Sequence, residues 1–162
     1  MEETRRETAA RLFHEGYNCA QSVFAAYADL YGLDRETALR LSAGLGAGMG
    51  RMREVCGCCT GMFLLSGLAC SAKDGADTEG KTENYRLVRE LADAFRQRAG
   101  GSILCRELLG LERAEDDCRP AERTGEYYRK RPCPELVELA CSIVEESLLP
   151  RIPPAGAKEA GA

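Results

Sequence analysis

The sequence predicts an all-α fold: a compact single-domain bundle of about six helices, with a Gly-rich loop before a central Cys motif. Three observations carry that reading. Apolar residues recur at helical spacing in several separate segments. Helix-start residues (Asn18, Asp34 and the pair Cys133–Pro134) stand just before such segments. No run of alternating β-branched residues bounded by turns competes with them. The chain of 162 residues suits one domain with a real core.

Taken in order, a first helix is expected over Glu3–Glu15, stopped by Gly16, and a second over Cys19–Leu30 with Asn18 as its cap. Val23, Ala26, Tyr27 and Leu30 give the second an apolar stripe. Asp34 caps a third, with Ala38, Leu41 and Leu45 on one face. The run "AGLGAGMG" should interrupt regular helix, because each Gly costs about 1 kcal/mol against Ala there. A fourth helix starts near Gly57. The polar stretch "SAKDGADTEGKTEN" reads as a loop before a long helix, Glu83–Ala99, with Tyr85, Val88, Leu91, Ala92 and Phe95 on its apolar face. Ser102 is the expected cap of a short helix in "ILCRELLG". Pro134 suits the first position of a last helix, where its missing N–H is no loss. There Leu136, Val137, Ala140, Cys141, Val144 and Leu148 form the buried stripe. The domain is expected to span residues 1–150, with 151–162 a poorly ordered tail.

Composition narrows function. A net charge of −4 argues against a dedicated nucleic-acid binder. No apolar run reaches the roughly 18 residues that a membrane span needs. The mixed-charge start "MEETRRETAARLF" lacks the apolar stretch of a secretory signal, so a cytoplasmic location is expected. In that reducing setting nine cysteines point to metal binding or redox chemistry rather than to structural disulfides.

Cys19, Cys56, Cys105 and Cys133 all fall at or near expected helix starts. A helix N-terminus presents unpaired N–H groups and the positive end of the helix dipole, and both favour thiolate over thiol. The same N–H groups can donate to the sulfurs of a cluster and tune its potential. Cys141 and Cys70 read instead as small buried hydrophobes, and Cys118, in the acidic "EDDCRP", as incidental. Cys56 and Cys59 form a CxxC, but the βαβ context of thioredoxin-type pairs is missing. A zinc ribbon would need a second CxxC, and haem c attachment a His where Thr60 stands. The single histidine, His14, is far from the cysteines in sequence, which leaves conventional hydrolase chemistry unsupported.

"GLGAGMGR" has no strand before it, so it fails the context of a dinucleotide or phosphate loop. Two readings stand: a loop for close backbone approach, or amides that line a cofactor beside Cys56, with Gly46, Gly48, Gly50 and Arg51 as cofactor-binding candidates. "YYRKRP" reads as solvated surface.

"GYNCAQSVFAAY", "GLGAGMGRM" into "EVCGCCTG", "GSILCRELLG" and "CPELVELA" together resemble the C-GCAxxG-C-C family, small bacterial and archaeal proteins described as redox-active. The resemblance covers roughly residues 5–150, and the family's cysteine pattern falls on Cys19, Cys56, Cys105 and Cys133. Cys58 stands where the family motif has Ala, and Cys59 at a variable place. The resemblance implies redox activity or metal-cluster binding and supplies no substrate. The expectation is therefore a convergent thiolate site of Cys19, Cys56, Cys105 and Cys133, either holding an iron–sulfur cluster or zinc or cycling between dithiol and disulfide. In the exchange case Cys56 is the expected nucleophile, with Cys59 or Cys19 resolving. The partner is expected to be an unidentified redox partner, not nucleic acid or membrane, with homodimerisation left open. A zinc-binding or delivery module without turnover and a purely structural helical protein are the alternatives.

Overall fold

The computed structural model describes residues 1–112 and 117–152. It is all-α, and several of its helices (α1, α2, α3, α6 and α8) begin where a side chain satisfies a first-turn backbone N–H. Helix α1 (Arg5–His14) opens with a reciprocal capping box between Thr4 and Glu7. Helix α2 (Cys19–Ala25) opens with another: Asn18 accepts from the Gln21 N–H at 2.9 Å, and the Gln21 side chain accepts from the Asn18 N–H at 3.1 Å. The expected continuation to Leu30 fails. Tyr27 leaves helical geometry, buries its ring and donates to Glu145 at 3.0 Å, and a separate 3₁₀ turn follows at Ala28–Tyr31. In α3 (Arg35–Ser42) Asp34 caps as expected, accepting from Thr37 N–H at 2.9 Å. Its Leu41 is exposed, however, and Ala38 and Ser42 are the buried positions.

A 3₁₀ turn (Ala43–Leu45) leads into α4 (Gly46–Met49), a single turn of abnormal hand described below. Helix α5 (Gly57–Ala69) is the central element and packs on α2, α6 and α9. Helix α6 (Thr78–Arg98) begins five residues before the expected Glu83, capped by Asp77, which accepts from Gly80 N–H at 3.0 Å. Gly80 reads as a helix breaker in the sequence. In fact a Cβ there would lie 2.7 Å from the Ala72 Cα, so the glycine serves the packing of the cap. The buried face of α6 is Leu87, Leu91, Ala92 and Phe95, and Tyr85 points outward. Helix α7 is one turn (Cys105–Leu108), and α8 (Gly125–Lys130) is capped by Thr124. Helix α9 (Cys133–Ser147) carries Pro134 in its first turn, and a 3₁₀ turn closes at Leu149–Arg151. Of the tail expected from residue 151, Arg151 lies against Glu90 of α6 at 3.5 Å. Residues 153–162 lie outside the described residues.

The core is one cluster that includes Phe13, Val23, Phe24, Met62, Leu65, Leu87, Leu91, Phe95, Val137 and Val144. Each such side chain contributes about 1.5–3 kcal/mol on burial. Helices α2 and α5 approach unusually closely because α5 has no side chain at two points one turn apart. A Cβ on Gly57 would sit 2.9 Å from the Ala20 nitrogen, and one on Gly61 3.1 Å from the Ala20 oxygen. That contact brings the start of α2, with Cys19, against the start of α5, with Cys56 and Cys58. Among the described residues no helix is long and apolar enough to cross a membrane.

Candidate functional site

Two extended segments set one side of the site. Residues before α5 pair antiparallel with residues before α7, meeting at Val55 and Leu104. Cys56 N–H donates to Ile103 O at 2.7 Å, and Cys105 N–H donates to Glu54 O at 2.6 Å. An ion pair between Arg106 and Glu54 at 3.0 Å braces the same ribbon. The pairing places Cys56, the N-cap of α5, beside Cys105, the first residue of α7. Cys19 and Cys133 are the first residues of α2 and α9. The four expected helix-start positions are all observed.

The glycine run forms another wall. Ala47, Gly48, Met49, Gly50 and Arg51 have φ of 54°, 69°, 68°, 61° and 63°, so consecutive residues take the left-handed region. Gly50 N–H closes the turn onto Gly46 O at 3.1 Å. Each L-residue in this conformation costs about 1–2 kcal/mol, and such strain persists only where surrounding structure imposes it. The imposing contacts are close. A Cβ on Gly48 would lie 2.6 Å from the Arg53 Cα and 2.7 Å from the Cys105 Cβ. Asn18, the cap of α2, donates from its side chain to Ala43 O at 2.9 Å and ties the run to Cys19.

Between these walls lies a cavity of about 550 Å³. Cys19, Cys56, Cys105 and Cys133 all line it, as do Gly46, Gly48, Gly50 and Arg51. Cys59 does not line it: it is fully buried in the apolar core beneath. Cys141 is a core residue, as expected, and Cys118, expected to be incidental, is exposed at the cavity wall.

The thiols are not equivalent. Cys19 is held well below the usual thiol range. The Cys133 thiol donates to it, Cys58 donates as a second partner, and the Arg123 guanidinium adds a favourable charge. Cys133 and Cys58 are pushed up correspondingly, first because each keeps its proton for Cys19, and then through burial. Burial also raises Cys105, opposed by Arg53, whose Nη1 donates to the Cys105 sulfur at 3.6 Å. Arg53 is itself buried. Among the described residues no three His, Cys, Asp or Glu side chains gather as the ligands of a single metal ion would. The cysteines ring a cavity instead.

Four contributors escape sequence reasoning. Cys58 belongs to the thiol network, reaching both Cys19 and Cys56. Arg123, from a stretch without apolar period, donates to Phe13 O at 2.9 Å and Tyr17 O at 3.0 Å and lines the cavity. Tyr127 and Arg131, read as solvated surface in "YYRKRP", line it too, which corrects that reading. The Tyr127–Tyr128 pair followed directly by Arg129, Lys130 and Arg131 is the one local signal that could have flagged them. His14 stacks on Tyr128, with ring centroids 4.7 Å apart, and does not line the cavity.

No curated protein and no solved structure matches the chain. One family model does, described as "Putative redox-active protein (C_GCAxxG_C_C)", over residues 17–147. That span holds every cysteine of the cavity and the glycine run, and the chain belongs to the C_GCAxxG_C_C family.

Proposed function

We propose that this redox-active protein carries its electrons on an iron–sulfur cluster held by Cys19, Cys56, Cys105 and Cys133. The observation that carries the reading is the arrival of four cysteines, from four separate helix starts, at one cavity. A cluster fits this donor set better than zinc does. Zinc needs its ligands gathered around one point, whereas the ligands of a cluster attach to different metal atoms. A bound cluster would supply electron transfer. The chain's own residues would do the rest. Arg53, donating to the Cys105 sulfur, offsets negative charge. The helix-start amides favour thiolate, and Phe13, Leu108, Leu109 and Leu136 limit water at the site.

The experiment is anaerobic purification of the full chain, followed by iron and acid-labile sulfide analysis and visible absorption. A coloured protein with stoichiometric iron and sulfide is expected, its colour lost on Cys56→Ser. A chain that stays colourless and iron-free after anaerobic reconstitution would rule the cluster out.

A second reading is favoured by the hydrogen bonds that Cys19 accepts from Cys133 and Cys58. In metal-free protein the Cys19 thiolate attacks a disulfide RSSR and expels RS⁻, which takes a proton. Cys133 then gives up its proton and attacks the Cys19 sulfur, releasing the second RSH. The chain is oxidised to a Cys19–Cys133 disulfide as the substrate is reduced to two thiols. This assigns the nucleophile to Cys19 rather than Cys56, because Cys19 is the sulfur that its neighbours stabilise as thiolate. Peptide mapping of oxidised, metal-free protein tests it: a bridge that excludes Cys19 would sink the reading.

A further inference from the structure

The cavity is lined by charged and apolar side chains as well as by cysteines. Among the described residues its charged lining side chains are Arg51, Arg53, Arg123 and Arg131, with no Asp or Glu. Arg51 donates to Asp117 O at 3.0 Å, and Arg53 serves Cys105. Arg123 and Arg131 are placed differently. Both guanidiniums lie against the same ring, 4.8 and 4.5 Å from the centroid of Tyr127. Arg123 spends two of its five N–H donors on the neutral carbonyls of Phe13 and Tyr17, and its charge also favours the Cys19 thiolate. Two cations beside one ring repel each other, and the described residues of the cavity wall include no carboxylate to relieve them. Apolar side chains line the same cavity: Phe13, whose ring lies 4.4 Å under the Arg123 guanidinium, with Leu108, Leu109 and Leu136. The volume falls within the range of pockets for small organic ligands, about 300–1,000 Å³.

We propose that this cavity binds a small organic anion, with its acidic head on Arg123 and Arg131 and its apolar body against Phe13, Leu109 and Leu136. Guanidiniums recognise planar carboxylates and other oxyanions through paired hydrogen bonds, and the Tyr127 face holds both arginines in place. The inference names the substrate class for the redox site of the preceding section. It rests on that reading only for turnover; binding stands by itself.

The test uses the full chain as purified and the fluorescent probe 8-anilinonaphthalene-1-sulfonate, an aromatic body with one anionic head. Its uncharged counterpart, N-phenyl-1-naphthylamine, is the control. The expected result is one saturable sulfonate site per chain, weakened about tenfold to a hundredfold by Arg131→Gln, with the neutral probe's affinity unchanged. Arg123 also ties down backbone carbonyls, so Arg123→Gln is read only alongside a circular-dichroism check, and Arg131→Gln carries the test. Equal affinity of Arg131→Gln and the parent for the sulfonate would overturn the proposal. So would equal loss of both probes, or a variant that loses iron yet binds the sulfonate as before, which would assign the arginines to the sulfur centre alone. Iron content is measured on the same samples. An iron-free chain that still binds the sulfonate through Arg131 keeps this inference and sinks the cluster; the converse pattern does the reverse.

Discussion

Cys58 and Cys59 are neighbours in the first turn of α5, both fully buried in the core beneath the cavity, and they differ in their partners. Cys58 joins the thiol network at the cavity, with Cys19 and Cys56 as its partners. Cys59 faces the apolar core, where burial alone is the main influence and pushes its thiol up. Cys141 lies in the same core and is pushed up to about 12, again chiefly by burial. At the cavity edge, Cys19 is driven the other way by hydrogen bonds from Cys133 and Cys58. Burial is common to both regions. What separates them is the supply of donors: helix-start amides, neighbouring thiols and guanidiniums at the cavity, and methyl groups and rings in the core.

The largest effect should come from moving between the two regions by substitution. Cys19→Ser, Cys56→Ser, Cys105→Ser and Cys133→Ser are each expected to lower iron bound after anaerobic reconstitution at least several-fold, whereas Cys141→Ala should leave it unchanged. Equal iron loss in Cys141→Ala would erase the distinction. Next comes the contact that joins the regions. Gly57→Ala places a Cβ against the Ala20 backbone and should cost about 1–3 kcal/mol in chemical denaturation. Gly48→Ala combines positive φ with contact to the Arg53 backbone and should cost a similar or larger amount. An unchanged midpoint in both would mean that the close approach is not required.

The thiols also predict opposite pH responses. Cys141 keeps its proton when folded and loses it near the ordinary thiol range when unfolded. From about pH 9 to about 12 the folded state therefore binds more protons, and its stability falls as pH rises. In Cys141→Ala that part of the alkaline slope should vanish. Cys19 carries the reverse sign: its contribution is present above its unfolded pKa and is lost as pH falls through its lowered folded value. Iodoacetamide should accordingly label Cys19 of metal-free protein at a lower pH than Cys133, measured by mass spectrometry; the opposite order would refute the assignment. The smallest effect is at a cap remote from both regions. Thr4→Ala should cost about 1 kcal/mol of stability and leave labelling of Cys19 untouched, whereas Asn18→Ala should cost a similar amount and alter it.

The parts legible in the sequence are those decided within a few residues. Asn18 with Gln21, Asp34 with Thr37, and Pro134 are local solutions to unpaired N–H groups, so those helix starts, and with them Cys19 and Cys133, could be located. What escaped is decided between distant segments. The cavity role of Arg123 depends on carbonyls in α1 and the loop after it, and Arg131 and Tyr127 meet the cysteines only after α8 and α9 fold back. The left-handed turn is imposed by Arg53 and Cys105, and the glycines signal only that something unusual is permitted there. In α6, Tyr85 and Leu87 are both apolar, and only packing decides that Leu87 goes inside.

The ribbon between Glu54–Cys56 and Ile103–Cys105 has a consequence for the order of assembly. Its two strands are separated by the whole of α5 and α6, and Cys19 and Cys133 lie near opposite ends of the chain. Helices form from neighbours, but closing such long loops carries an entropic cost that must be met before the contacts repay it. The sulfur centre is thus among the last features to close. Until then a nascent chain exposes nine thiols with nothing to keep them apart, so an oxidant met early would trap wrong pairings. The yield of correctly assembled protein should depend on the redox conditions of synthesis more steeply than the finished fold does.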